Sequence, residues 1–282
     1  MMAVMMIRPL FLLIALGLLP AGDALAGPAQ QVPSEFNVGA APLDVAVLPG
    51  ARIVATLIDP SGSQVNWIDS ADFAGGVHTA HLTAVDATCI TGGTLDGLPV
   101  AFVGGEQLDV VRFDTSVIPV ATGSVDATVG LGTAASRVVS LAWLPSLEVL
   151  IAADAERSQL RLIDFRGAEP VVDGLAGWPI DLDFVPVDVA LLADDRVVVV
   201  GDREGQPVVR RVDLDTLTAP AVEGNDVLSA GFDGAAVAVT SDGDGDAYVL
   251  DAAGGVWLIG SEPSTGDDDD AVDDDDAVDD DD

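Results

Sequence analysis

Residues 187–213, VDVALLADDRVVVVGDREGQPVVRRVD, contain the pattern that decides the fold. An apolar segment leads into a turn, a run of valines follows at 197–200, and a third segment alternates before it ends at Asp213. Continuous β-branched runs between turn residues are typical of strands buried on both faces, and alternating segments are typical of half-exposed strands. The stretch therefore predicts three consecutive antiparallel strands.

The same succession of strands recurs about five times between residues 40 and 260. The last strand of each unit closes on a hydrophobic residue and an aspartate, at Asp69, Asp114, Asp164, Asp213 and Asp251, with intervals of 45, 50, 49 and 38 residues. A period of about 40–50 residues with several strands per unit is typical of propeller blades, because one small sheet cannot bury both faces alone. We therefore predict an all-β fold, a β-propeller with about five visible blades of three to four antiparallel strands. A two-sheet β-sandwich is the alternative.

These units resemble the degenerate propeller repeats of the YVTN and NHL type and, more distantly, those of WD40 proteins. The shared feature is an apolar strand that ends in a hydrophobic residue and aspartate before a tight turn. The resemblance covers roughly residues 40 to 260, and Trp67-Ile68-Asp69 only approximates the Trp-Asp ending of WD40 repeats. The resemblance implies a propeller fold and gives little information about activity. Aspartates at these positions are explained by turn capping, because their side chains bind backbone N–H groups two residues on.

Both ends of the chain have a composition unlike that of the repeats. Residues 10–19, LFLLIALGLL, follow Arg8 and precede Ala24-Leu25-Ala26, which is the pattern of a cleaved signal peptide. After Gly266, three blocks of four aspartates are separated by Ala-Val pairs, which predicts a disordered tail. The tail is similar to the aspartate-rich extensions of exported bacterial proteins. We expect a signal peptide at 1–26, a propeller domain at 27–262 and a polyaspartate tail at 263–282. The mature protein is expected to be periplasmic, bound at the cell surface or secreted, with no membrane span.

The charge of the chain restricts its partners. The formal net charge is -36, from 47 acidic and 11 basic residues, and all the basic residues are arginines. Such a surface repels nucleic acid and anionic lipid and favours cations or basic surfaces. The single cysteine, Cys89, cannot form an internal disulfide and is expected to be a small buried residue.

A candidate calcium loop lies near the end of the repeats. Asp242, Asp244 and Asp246 alternate with glycines, and Asp251 follows as a possible further ligand. Ca²⁺ takes six to eight oxygen ligands, so alternating carboxylates in a tight loop suit it. The pattern departs from an EF-hand at Ala247 and Ala253, and a polar hairpin loop is the alternative. Calcium is the only cofactor that the sequence suggests.

The sequence contains no strong catalytic motif. His78 and His81 are the only histidines, and on a strand an i,i+3 pair points to opposite faces, which disfavours a shared metal. If the chain were an enzyme, the resemblance to propeller lactonases implies a metal in the central channel, with Asp44, Asp86, Asp183 and Asp188 as candidate ligands. We favour a non-enzymatic, monomeric scaffold at the cell envelope that binds a protein or glycan, with calcium as a candidate cofactor. A metal-dependent, lactonase-like hydrolase is the alternative.

Overall fold

The architecture was analysed in a computed structural model of the chain. The structure describes residues 42–49, 53–58, 64–69, 77–83, 86–116, 120, 122–132, 135–192, 196–214, 216–222, 234–241 and 245–259. The predicted signal peptide and polyaspartate tail lie outside these residues. Within them the chain forms 20 strands in five antiparallel sheets and no helix, which confirms the predicted all-β class. No helix of this part of the chain is therefore long and apolar enough to cross a membrane.

Each sheet is built from strands that are consecutive in the sequence. Sheet 1 contains β1 (Pro42–Leu48), β2 (Ile53–Ile58), β3 (Gln64–Asp69) and β4 (His78–His81). Sheet 2 contains β5 (Cys89–Leu95), β6 (Leu98–Gly104), β7 (Gln107–Phe113) and β8 (Gly123–Gly130). Sheet 3 contains β9 (Val138–Leu144), β10 (Val149–Asp154), β11 (Gln159–Asp164), β12 (Val171–Val172) and β13 (Ile180–Asp181). Sheet 4 contains β14 (Val185–Leu191), β15 (Arg196–Arg203), β16 (Gln206–Asp213) and β17 (Ala221–Val222), and sheet 5 contains β18 (Ala236–Ser241), β19 (Ala247–Asp251) and β20 (Val256–Ile259).

The valine-rich runs form the second strands of sheets 3 and 4, where both faces are covered. Every residue of β10 is buried, and so are the four valines and Gly201 of β15. Because a second strand has strands on both edges and sheets on both faces, it needs no polar side. This explains why the sequence shows continuous apolar runs there and alternation elsewhere.

Within the described residues, the hydrophobic core consists of four layers, each between two consecutive sheets. One cluster joins sheets 1 and 2, and it includes Trp67 and Phe113, whose rings pack edge to face at 5.2 Å. A second joins sheets 2 and 3 around Phe102 and Trp143, which stack at 4.9 Å. Two further clusters join sheet 3 to sheet 4 and sheet 4 to sheet 5. The first strands β1, β5, β9, β14 and β18 also contact one another in this order, so the five sheets pack in series.

The first strand of sheet 2 begins at Cys89, and Asp86 lies before it in a turn with a left-handed φ of 56°, so Asp86 is not on a first strand. Asp251 was expected to end the third strand of its unit, as Asp69 and Asp213 do. Among the described residues it ends β19, which lies between β18 and β20 in sheet 5. Residues 223–233, which precede sheet 5, lie outside the described residues.

Backbones of neighbouring sheets approach closely where the sequence has glycine. A Cβ at Gly92 in β5 would lie 2.5 Å from the carbonyl oxygen of Val47 in β1. A Cβ at Gly93 would lie 3.0 Å from the indole of Trp143 in sheet 3. Glycine is therefore required in the middle of β5, because a side chain would push sheets 1 and 3 away from sheet 2.

Replacing Gly92 with alanine should lower the free energy of unfolding by about 1–3 kcal/mol, since the added methyl group overlaps backbone atoms of sheet 1. Gly130→Ala is the matched control, because an added Cβ there has no heavy atom within 4 Å. Urea unfolding of both variants measures the difference. Equal stability of Gly92→Ala and Gly130→Ala would contradict the close approach of β1 and β5.

Candidate functional site

The best candidate site is the row of first strands, where sequence analysis placed channel-lining carboxylates. Asp44 lies in β1 directly after a β-bulge that begins at Pro42. Its Oδ1 accepts a hydrogen bond from the N–H of Val45 at 2.8 Å, and its Oδ2 accepts one from the N–H of Ile90 in β5 at 2.9 Å. The carboxylate of Asp44 therefore connects sheet 1 to sheet 2.

Asp188 in β14 repeats this arrangement between sheets 4 and 5. It also follows a β-bulge, which begins at Pro186, and its Oδ1 accepts a hydrogen bond from the N–H of Val189 at 3.0 Å. Its Oδ2 accepts one from the N–H of Val239 in β18 at 2.8 Å. In addition, the hydroxyl of Ser140 in β9 donates to Oδ1 of Asp188 at 2.5 Å. One carboxylate thus joins the first strands of three consecutive sheets.

The interface between sheets 2 and 3 uses a hydroxyl group in place of a carboxylate. Thr88, just before β5, donates a hydrogen bond from its side chain to the carbonyl of Val138 in β9. The N–H of Val138 donates to the carbonyl of Gly105 at 3.0 Å. Asp86, the residue expected to line the channel in this unit, is exposed in its turn. The first strands are thus connected by polar side chains at each interface, although the residue type differs.

Asp183 does not lie on a first strand, although sequence analysis named it as a candidate ligand in the central channel. It lies just before β14 and is exposed, and its two oxygens accept from Arg203 at 2.7 Å and from Arg210 at 2.8 Å. Desolvation by the surrounding side chains raises the pKa of Asp183, but the hydrogen bonds and positive charges of the two guanidinium groups outweigh it, so the pKa is lowered. The guanidinium carbon of Arg210 also lies 5.3 Å from the centre of the Phe184 ring. This cluster connects β14 to the second and third strands of sheet 4.

Two fully buried aspartates that sequence analysis did not single out have the same kind of role. Asp109 in β7 accepts from the N–H of Thr83 at 2.6 Å and from the hydroxyl of Thr128 in β8 at 2.6 Å. Asp154 at the end of β10 accepts from the hydroxyl of Ser136 and lies 3.6 Å from the guanidinium of Arg161. A buried carboxylate is tolerated only when hydrogen bonds or counter-charges replace its hydration, and these contacts supply them.

Arg161 is the centre of a buried ion-pair network on sheet 3. Besides Asp154, its guanidinium contacts Asp173 at 2.5 Å and donates to the carbonyl of Leu131 at 3.1 Å. Arg161 is itself buried, so each of its contacts replaces lost hydration. We assign this network to the packing of sheet 3 and not to catalysis.

The predicted calcium ligands are only partly within the described residues. Asp242 and Asp244 lie outside them, and Asp246 directly precedes β19. Asp251 is the last residue of the same strand, about 16 Å from Asp246 at the usual rise per residue. Ca²⁺ holds its oxygen ligands at about 2.3–2.6 Å, so one ion cannot bind both carboxylates. A site formed by Asp242, Asp244 and Asp246 stays a prediction.

Asp251 caps the turn between β19 and β20. Its Oδ1 accepts from the N–H groups of Ala253 at 2.9 Å and Gly255 at 2.7 Å, and its Oδ2 accepts from the indole N–H of Trp257 at 2.8 Å. The Trp257 hydrogen bond is the main cause that lowers the pKa of Asp251, with the backbone hydrogen bonds acting in the same direction and burial opposing them. This is the turn-capping role that the sequence predicted for the recurrent aspartates.

The two histidines lie on β4, at the outer edge of sheet 1. His78 packs against the ring of Trp67 with centroids 5.6 Å apart, whereas His81 is exposed. Across the described ranges, from 42 to 259 with their gaps, no three His, Cys, Asp or Glu side chains are grouped as a metal site would require. The four carboxylates proposed as channel ligands are therefore not brought together there. Cys89 is buried, as expected.

A local signal for the connecting aspartates is present in the sequence. Residues 42–46, PLDVA, and residues 186–190, PVDVA, share proline, aspartate, valine and alanine at the same positions. In both, the bulge after proline turns the aspartate toward the next sheet, where it accepts a backbone N–H. Sequence analysis had noted both aspartates as possible metal ligands and had missed the proline two residues before each.

Comparison with known proteins identifies a fold and no family. No protein-family model matches the sequence, and no curated protein is significantly similar to it. Many solved structures are similar, at low sequence identity. One is a putative 6-phosphogluconolactonase from Bacteroides uniformis, with a TM-score of 0.61 and 10% identity over 80% of this chain and 69% of that chain. Another, from Bacteroides fragilis and also named a putative 6-phosphogluconolactonase, has a TM-score of 0.58 and 12% identity over 77% and 66%.

A third similar structure is Raptor from Chaetomium thermophilum. Its TM-score is 0.56 at 13% identity, over 80% of this chain and 20% of that chain. The lactonase-like structures have β-propeller-type folds, and this chain spans about two thirds of their length. At such low identity the likeness shows the fold alone, and proteins with different names share it.

Proposed function

We propose that this chain is an exported β-propeller that acts as a rigid binding scaffold for a protein or glycan. The observation that supports the proposal is the set of contacts that the buried and half-buried carboxylates of the chain make. Asp44, Asp109, Asp154 and Asp188 bind backbone N–H groups, hydroxyls or an arginine of neighbouring strands. A general base or metal ligand must keep lone pairs for the substrate or the ion. Here Asp44 and Asp188 use oxygen lone pairs to join neighbouring sheets, and Asp109 and Asp154 use theirs to hold adjoining segments of the chain.

The propeller architecture is supported by the serial packing of the five sheets. Each sheet contacts the next through its first strand and through an apolar cluster of its own. A two-sheet sandwich has one such layer between its two sheets, whereas the described part of this chain has four in succession. The likeness to propeller-type solved structures points in the same direction.

Export and charge define the setting in which the scaffold works. The signal-peptide pattern at 1–26 places the mature chain in the periplasm, at the cell surface or outside the cell. With a formal net charge of -36, the chain attracts cations and basic surfaces, and we infer that its partners are of this kind. A monomer fits this charge, because identical copies repel one another.

We also propose that the loop 242–246 binds Ca²⁺ through Asp242, Asp244 and Asp246. Titration calorimetry of the full chain should give saturable binding that persists when residues 266–282 are removed. It should be lost when the three aspartates are replaced by asparagine, which keeps their size and removes their charge. If binding disappears with the tail and is unchanged in the asparagine variant, Ca²⁺ binds only as a counterion of the polyaspartate blocks, and the proposed loop site is wrong.

The names of similar solved structures favour a second candidate, hydrolysis of a sugar lactone. Two of these structures are named putative 6-phosphogluconolactonases, and neither name indicates a scaffold. In this candidate, polar side chains along the first strands would bind the lactone. If a carboxylate oxygen of Asp44 or Asp188 turned from its backbone partner to the lactone, each buried N–H left unsatisfied would cost about 1–3 kcal/mol.

Lactone hydrolysis and partner capture distinguish the two candidates. We expect the purified chain to hydrolyse 6-phosphogluconolactone no faster than buffer, with or without added Ca²⁺ or Mg²⁺. We also expect the immobilised chain to retain a saturable partner from the exported fraction of its host. Saturable acceleration of hydrolysis that is lost in Asp44→Asn or Asp188→Asn would contradict the scaffold proposal and favour the lactonase.

A further inference from the structure

Two Asp-Gly pairs lie wholly within the described residues, Asp96-Gly97 and Asp173-Gly174. In this dipeptide the backbone nitrogen of the glycine can attack the side-chain carboxyl carbon of the aspartate, because glycine has no side chain that hinders the approach. The product of the attack is a five-membered succinimide ring. Whether a pair reacts in the folded chain depends on how free its carboxyl group and its glycine N–H are.

Asp96-Gly97 forms the two-residue turn between β5 and β6, where Leu95 pairs with Leu98. Both turn residues have a left-handed φ, 53° and 73°, as in a type I′ hairpin turn. The N–H of Gly97 donates no hydrogen bond to any residue that the structure describes. A Cβ added at Gly97 would have no heavy atom within 4 Å, so the outer side of the turn is open. The attacking nitrogen is therefore accessible.

The carboxylate of Asp96 is held only weakly. Its side chain is 86% exposed and contacts the guanidinium of Arg112 at 3.5 Å, which is longer than a charge-assisted hydrogen bond. Arg112 makes closer contacts with the carboxylate of Asp126 at 3.0 Å and with the carbonyl of Leu95 at 3.3 Å. Asp96 can therefore rotate about χ1 and bring its carboxyl carbon to the Gly97 nitrogen without breaking a strong bond.

The same dipeptide at Asp173-Gly174 is held by the fold. One oxygen of Asp173 accepts from Arg161 at 2.5 Å, and the other accepts from the N–H of Leu162 at 3.0 Å. The N–H of Asp173 also donates to the carbonyl of Leu162 at 2.8 Å, and the side chain is only 12% exposed. Ring closure here would require the carboxylate to leave a buried arginine, so the fold protects this pair.

We propose that Asp96 is a site of spontaneous isomerisation to isoaspartate. The Gly97 nitrogen bonds to Cγ of the protonated side-chain carboxyl group, and the amide proton leaves with the carboxyl hydroxyl as water. A second water then opens the ring. When it breaks the bond between the Gly97 nitrogen and the main-chain carbonyl carbon of Asp96, the chain continues through Cγ and the former main-chain carbonyl becomes the free carboxylate. Atom composition and net charge are unchanged.

The isomerised turn differs from the native turn in length and in the position of its charge. The backbone path from β5 to β6 gains one methylene group, and the carboxylate moves from Cβ to Cα of residue 96. The length of a two-residue hairpin turn sets the register of its strands, so we expect local fraying at Leu95 and Leu98. This inference is independent of the proposed scaffold function, since it concerns how the exported chain ages.

The test follows uptake of heavy oxygen from labelled water by the full, folded chain at neutral pH. Each passage through the succinimide leaves one heavy oxygen atom in the aspartate, and mass spectrometry after digestion in ordinary water locates it. We expect uptake at Asp96 to exceed uptake at Asp173 by about tenfold, because Asp173 must first lose charge-assisted hydrogen bonds. In urea the two rates should become similar, because the dipeptide is the same.

Asp96→Glu is the matched control, since it keeps the charge beside Arg112 and would need a less favourable six-membered ring. We expect no uptake at residue 96 in this variant. Fragmentation spectra that distinguish the two backbone linkages should show isoaspartate at residue 96 of the labelled native chain.

Four results would each overturn the proposal. Equal uptake at Asp96 and Asp173 in the folded chain would mean that the turn confers no selectivity. If Asp96 stays unlabelled while the free peptide TLDGLPV, residues 94–100, takes up the label, the folded turn prevents ring closure. Uptake in Asp96→Glu equal to that of the native chain would mean oxygen exchange without a ring. Labelled Asp96 with no isoaspartate linkage would mean that the ring opens only back to aspartate.

Discussion

A sheet made of Val, Ile, Ala and Leu has two apolar faces, and burial of such faces against neighbouring sheets is the constraint on which this structure depends. Among the described residues, each of the four apolar clusters lies between two consecutive sheets, so sheets 2 to 4 are covered on both faces and sheets 1 and 5 on one. Stability is then the sum of interfaces between neighbours, as in other repeat proteins. The glycines of β5 follow from this constraint, because they let the backbones of adjacent sheets approach closely.

Apolar contacts do not fix the position of one sheet along the next, because they have no preferred direction. The polar contacts between first strands fix this position. Asp44 and Asp188 each accept the N–H of a residue in the next sheet, at 2.9 and 2.8 Å. Such a bond has a narrow range of distance and angle, so it fixes how far one sheet can slide along the next. A carboxylate in this position costs hydration, and the charge-assisted bonds to backbone N–H groups offset that cost. Asp44 and Asp188 thus stabilise the fold at positions where the alternative, lactonase-like reading of the sequence placed candidate metal ligands.

The local parts of the fold were predictable from the sequence, and the contacts between sheets were not. Runs such as the four valines of β15 predict a strand, because they are short, β-branched and bounded by turn residues, and all of these signals are local. The partner of Asp44 is 46 residues away and that of Asp188 is 51 residues away, and no local pattern identifies either. The turn role of Asp251 was correctly expected, because an aspartate beside a tight turn binds the backbone N–H groups that follow it.

The central claim is that Asp44 and Asp188 connect sheets, and amide hydrogen exchange at their partners tests it most directly. In Asp188→Asn the amide of Val239 should exchange at least tenfold faster while that of Ile90 keeps its native rate. In Asp44→Asn the two amides should respond in the opposite way. If both amides keep their native protection in both variants, these carboxylates do not hold the sheets together, and their position on the first strands would have to be explained by a ligand.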